Sequence, residues 1–177
     1  MHLKLKALTI GGLFLAITII CMALGSVIET NTLFLLAAAS YFIGIIVREF
    51  GLKSGAAFYL ANIILGFLTV PNKFYVLSFA AMGFYIWCIE AVWRILSKGN
   101  EKLQKRYVFW ILKYIIFNII YLSILFLFQE LLFEMEISAK LLFFAVVAGQ
   151  IGLWIYDTAY EYVQGQIWNK FRNRLFH

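Results

Sequence analysis

Two apolar runs, AAFYLANIILGFLTV and FYVLSFAAMGFYIWCIEAVW, meet at Pro71-Asn72-Lys73, and this hairpin restricts the chain more than any other stretch. Pro71 is the single proline among 177 residues. A proline fixes φ, lacks an amide donor and stops a helix, so the two runs must turn there. As helices rising about 1.5 Å per residue, each run approaches or crosses a hydrocarbon layer of roughly 30 Å. Neither alternates polar and apolar residues as a barrel strand does, and in lipid the backbone must bond within its own segment, so helix is the consistent choice. The hairpin reads as membrane helix, short outer turn, membrane helix.

The same pattern recurs along the chain. It predicts an all-α polytopic membrane protein, a single domain over 1–177, with six transmembrane helices at about 7–25, 32–47, 54–70, 74–94, 107–130 and 141–162. With 64% apolar and 14% charged residues, there is too little polar surface to clothe a soluble globule, and no soluble domain remains once the apolar runs are removed. Cys21 and Cys88 both fall inside apolar runs, which gives no support to a disulfide or a zinc site. The basic start MHLKLK and the run to Leu24 also resemble a secretory signal with Ala23-Leu24-Gly25 as its cleavage site. An uncleaved first helix is expected instead, and a lipoprotein signal fails because Ile20, before Cys21, is not small.

Lys and Arg near helix ends favour the cytoplasm, so the links between helices can be sorted by charge. One side receives Lys4, Lys6, Arg48, Lys53, Arg94, Lys98, Lys102, Lys105, Arg106, Lys170, Arg172 and Arg174. The other receives Lys73 and Lys140, with Glu29, Glu130, Glu134 and Glu136. Both termini are therefore expected in the cytoplasm. The net charge of +6 is explained by this topology and needs no nucleic acid.

Helix one carries small residues four apart, Ala7 with Gly11 and Gly12 with Ala16. Such a groove lets another helix approach closely, or serves ordinary packing within the chain. Polar stripes mark two later helices: Tyr114, Asn118, Tyr121 and Gln129 on helix five, and Gln150, Trp154, Asp157 and Glu161 on helix six. Asn62, Asn118 and Gln150 lie near mid-helix and either bond across helices or form the floor of a ligand cavity. Glu90, Lys113, Asp157 and Glu161 fall in the cytoplasmic halves of helices four to six, where a pair such as Glu90 with Lys113 would offset the cost of burying either. At the outer end, Asn31, Asn72, Lys73, Tyr75 and Gln129 are candidates for holding a small polar ligand. An enzyme is not expected: His2 and His177 sit at the termini, no Ser/His/Asp or Cys/His set lies within reach, and no Gly-rich phosphate loop appears.

The small-residue first helix LKALTIGGLFLAITII, and the continuation TNTLFLLAAASYFIGIIVREFGLKSGAAFYLANIILGFLTVPNKFY, resemble the substrate-binding S components of energy-coupling factor (ECF) transporters. The tail IYDTAYEYVQGQIWNKFRNRL matches more loosely. The resemblance implies a protein of the prokaryotic cell membrane that captures a small water-soluble vitamin or micronutrient beneath its outer loops. It would then hand this cargo over with a transmembrane coupling protein and two cytoplasmic ATPase subunits. The family's first-helix AxxxA contact maps onto Ala7 and Gly11, or Gly12 and Ala16, and its cavity would bring Asn31, Asn72, Lys73, Tyr75 and Gln129 near cargo. Members carrying nickel or cobalt use an N-terminal Met-His; Met1-His2 matches superficially, but a cytoplasmic N-terminus argues against metal, and no cofactor is expected. The alternative is a structural or assembly subunit of a larger membrane complex, with no ligand of its own.

Overall fold

The computed structural model describes residues 2–98, 106–127 and 139–175. Helices α1 (His2–Val27), α2 (Thr32–Phe50), α3 (Leu52–Thr69), α4 (Lys73–Leu96), α5 (Arg106–Leu127), α6 (Ala139–Tyr162) and α7 (Asn169–Leu175) make up nearly all of it, and no strand occurs among the described residues. Six segments are long and apolar enough to cross a membrane, the last running from Leu142 to Arg172. Their number and order follow the apolar runs. Two boundaries differ from expectation. α1 takes in the basic MHLKLK start from His2 onward, and α6 does not stop at Tyr162 but continues through a π-helical turn, Val163–Trp168, into α7. The chain divides into two compact units, Met1–Ile95 and Leu96–His177, each built of membrane-length helices.

In the first unit, α1 and α2 form an antiparallel hairpin closed by a 3₁₀ turn at Glu29–Asn31. The Thr32 hydroxyl donates to the Gly25 carbonyl at 2.8 Å, and the Phe14 and Phe42 rings meet at 4.8 Å further down. α2 turns into α3 through one residue. Gly51, at φ 94°, adopts a conformation that a side chain resists, donates to the Val47 carbonyl and accepts from the Gly55 amide. The two helices then pack so closely that a Cβ on Gly55 would lie 2.1 Å from a Val47 methyl, so only hydrogen fits there. The expected corner at Pro71 follows: α3 ends at Thr69, Val70 is extended, and α4 begins at Lys73. α4 returns antiparallel along α3, with the Tyr59 hydroxyl donating to the Ala80 carbonyl at 2.8 Å and the Trp87 indole N–H to the Leu52 carbonyl at 3.2 Å. The core is Leu36, Ile43, Val47, Val76, Phe79 and Ile86, each buried.

In the second unit, α5 and α6 lie antiparallel. The Tyr121 hydroxyl donates to the Ala145 carbonyl at 2.8 Å, and the Tyr121 ring lies where a Cβ on Gly149 would be. From the last turn of α6 onward, the buried positions Tyr160, Gln164 and Trp168 recur every four residues into the π-helical turn.

Candidate functional site

The residues expected at the outer end divide by what their side chains already do. Asn72 and Lys73 serve the Pro71 corner. The Asn72 Oδ1 accepts the Phe74 amide at 3.0 Å, capping α4, and the Lys73 Nζ donates to the Phe67 and Val70 carbonyls at 2.6 and 2.8 Å. A cation on the last carbonyls of α3 complements the negative end of that helix dipole. Tyr75 is half-buried one residue further on, and Asn31 is exposed at the end of the 3₁₀ turn, at the same end of the first unit. Gln129, with Glu130, Glu134 and Glu136, lies outside the described residues.

The mid-helix amides separate in the same way. In the second unit, Gln150 Nε2 donates to Asn118 Oδ1 at 2.8 Å, and Asn118 Nδ2 donates to the Tyr114 carbonyl at 2.8 Å and, at 3.5 Å, to Gln150 Oε1. The two amides thus close on each other across α5 and α6. Asn118 also borders an open apolar face of α5 formed by Trp110, Tyr114, Ile115, Leu122 and Phe126. In the first unit, Asn62 is wholly buried and donates to the Phe58 carbonyl at 2.8 Å.

The four ionisable residues are all paired, with partners other than the expected Glu90–Lys113 couple. Glu90, buried on α4, is held by Arg48 of α2, whose Nε and Nη2 both reach Oε1, at 2.8 and 2.6 Å. Lys113 of α5 has a side chain only 2% exposed, and its Nζ donates to Asp157 Oδ2 at 2.8 Å and Glu161 Oε1 at 2.6 Å. The ammonium also lies 4.5 Å from the centre of the Phe109 ring and 5.1 Å from that of Trp110. Asp157 and Glu161 stand one turn apart on α6, so one lysine reaches both. Arg48 was missed as the partner of Glu90, although its place at the end of an apolar run is visible in the sequence. Spacing gives depth in the membrane, not the direction a helix faces.

Of the small residues on α1, Ala7 lies in the helix, and Gly12 and Ala16 are exposed. A Cβ built on Gly11 or Gly12 meets nothing within 4 Å. Gly11 shares a helix stripe with Phe14, Thr18 and Met22, which are buried, whereas Gly12 and Ala16 lie on another face. Among the described residues no three His, Cys, Asp or Glu side chains gather to hold a metal. Compared with protein-family models, with curated proteins and with solved structures, the chain matches none of them.

Proposed function

We propose that this chain is the membrane-embedded substrate-binding subunit of an ECF-type importer in a prokaryotic cell membrane, with both termini in the cytoplasm. It captures a small water-soluble vitamin or micronutrient at its outer face and is not itself an enzyme. Energy for release comes from a transmembrane coupling protein and two cytoplasmic ATPase subunits. The observation that supports this reading is the open small-residue face of α1. Gly12 and Ala16 stand on an exposed face of the helix where a Cβ on Gly12 meets nothing within 4 Å, while Phe14, Thr18 and Met22 on another face are buried. Small residues let a partner helix approach closely in lipid, where packing rather than the hydrophobic effect drives association. On this reading Asn31 and Tyr75, whose side chains lie near the outer end, are the described residues nearest to cargo, and the Pro71 corner is a rigid rim.

A second reading, a structural or assembly subunit without a ligand, is favoured by the amide pair. Asn118 and Gln150 satisfy each other, and Asn72 and Lys73 are occupied as caps. Native mass spectrometry of the gently purified protein separates the two. A stoichiometric vitamin-sized adduct together with ATPase subunits is the result expected; an empty chain held by large membrane partners overturns the importer reading. Gly12→Leu is expected to abolish copurification with the coupling protein while leaving the adduct in place, and unchanged copurification refutes the role of Gly12.

A further inference from the structure

α1 and α3 run in the same direction, because each lies antiparallel to α2, and the two pack on one another. Met22 Cε lies 3.2 Å from the position a Cβ on Gly66 would take, which sets their register. One turn back on each helix stand Thr18 and Asn62, and one turn further Phe14 and Phe58, all four buried. The α1–α2 register, from Gly25 beside Thr32 and Phe14 beside Phe42, brings buried Ser40 to the same level; so does the α2–α3 register at Val47 and Gly55. On α4 the level is filled by buried Phe79. Thr18, Ser40 and Asn62 therefore form one polar layer between two apolar ones.

The layer is incompletely bonded. Asn62 Nδ2 donates to Phe58 and the Ser40 hydroxyl to the Ala37 carbonyl at 2.7 Å, but Thr18 Oγ1 and Asn62 Oδ1 have no hydrogen-bond partner among the described residues. An amide oxygen and a hydroxyl kept from both water and protein donors are costly, and buried polar groups are as a rule bonded. A guest that fits must donate to the amide oxygen and either donate to or accept from the hydroxyl. It must also be neutral, since Thr18, Ser40 and Asn62 supply no counter-charge. We propose that the layer is an internal hydration site, in which one water molecule bridges Thr18 Oγ1 and Asn62 Oδ1 and ties α1 to α3. The site is independent of any cargo or partner of the chain.

The test uses the full chain. In lipid bilayers, water-edited solid-state NMR of protein labelled at Thr and Asn is expected to show transfer from water to the Thr18 and Asn62 side chains, assigned by its loss in Thr18→Val and Asn62→Leu. In detergent, each single substitution is expected to lower Tm by about 2–4 °C, and the double variant by no more than the worse single, because the same water is lost once. Three results overturn the proposal: wild-type protein without the water transfer, a rise in Tm for either single variant, or additive losses in the double. Coupled losses without water transfer mean that the two side chains close directly on each other, which also overturns it.

Discussion

Replacing Lys113 by Met tests whether the ionic cluster of the second unit holds α5 to α6. The substitution keeps most of the side-chain volume but removes two charge-assisted hydrogen bonds, at 2.8 Å to Asp157 and 2.6 Å to Glu161. Asp157, whose side chain is 1% exposed, loses its cation, whereas Glu161, 46% exposed, turns more easily to other partners. Removing one member of a buried pair costs about 3–5 kcal/mol, mostly through the charge left behind. At about 2–4 °C per kcal/mol for a chain of this size, Tm should fall by roughly 6–20 °C. Glu161→Gln should cost clearly less than Lys113→Met, since Asp157 still pairs with the buried ammonium. The double variant Lys113→Met with Asp157→Leu should regain much of the loss, because only Glu161, the less buried of the two carboxylates, is then left without the lysine. Differential scanning fluorimetry on detergent-solubilised protein reads all three, with Trp110 beside the cluster as a local reporter. A Lys113→Met protein as stable as wild type, or a Glu161→Gln variant as damaged as Lys113→Met, would refute the reasoning.

Other substitutions probe packing and caps. Gly55→Ala puts a methyl 2.1 Å from Val47 Cγ2 and 3.3 Å from its Cα, and should cost about 1–3 kcal/mol in thermal unfolding, whereas Gly152→Ala, with nothing within 4 Å of the new methyl, should cost nothing measurable. Lys73→Met should leave the membrane helices in place but release the Phe67 and Val70 carbonyls, seen as faster amide exchange in the last turn of α3 and unchanged exchange in the middle of α4.

The six helices were legible because each apolar run is long and continuous, and the Pro71 corner because a lone proline between two such runs has one structural meaning. The helical continuation past Tyr162 is not visible in the sequence because QGQIWNKFRNRL is polar in composition, and the repeat of Tyr160, Gln164 and Trp168 carries its burial through a glutamine. The charge of Lys73 is visible in the sequence, whereas the carbonyls of Phe67 and Val70 that its ammonium meets at the end of α3 are set by the corner and visible only in the fold. Thr18 is not distinguishable within LAITII, since one hydroxyl in an apolar helix commonly bonds its own backbone; that it shares a level with Asn62 follows only from the α1–α3 register. The depth of Glu90 and Lys113 could be read from the chain, whereas their partners depended on which way four separate helices face.

The one-residue link at Gly51 is held from several sides. α4 grips both sides of it, through Arg94 on the Val47 carbonyl and Trp87 on the Leu52 carbonyl, and Gly55 seats against Val47 one turn away. With a single glycine between them, α2 and α3 form one hairpin unit, so the two carry their hydrophobicity together and loosening the Gly51 link would separate what the fold treats as one element.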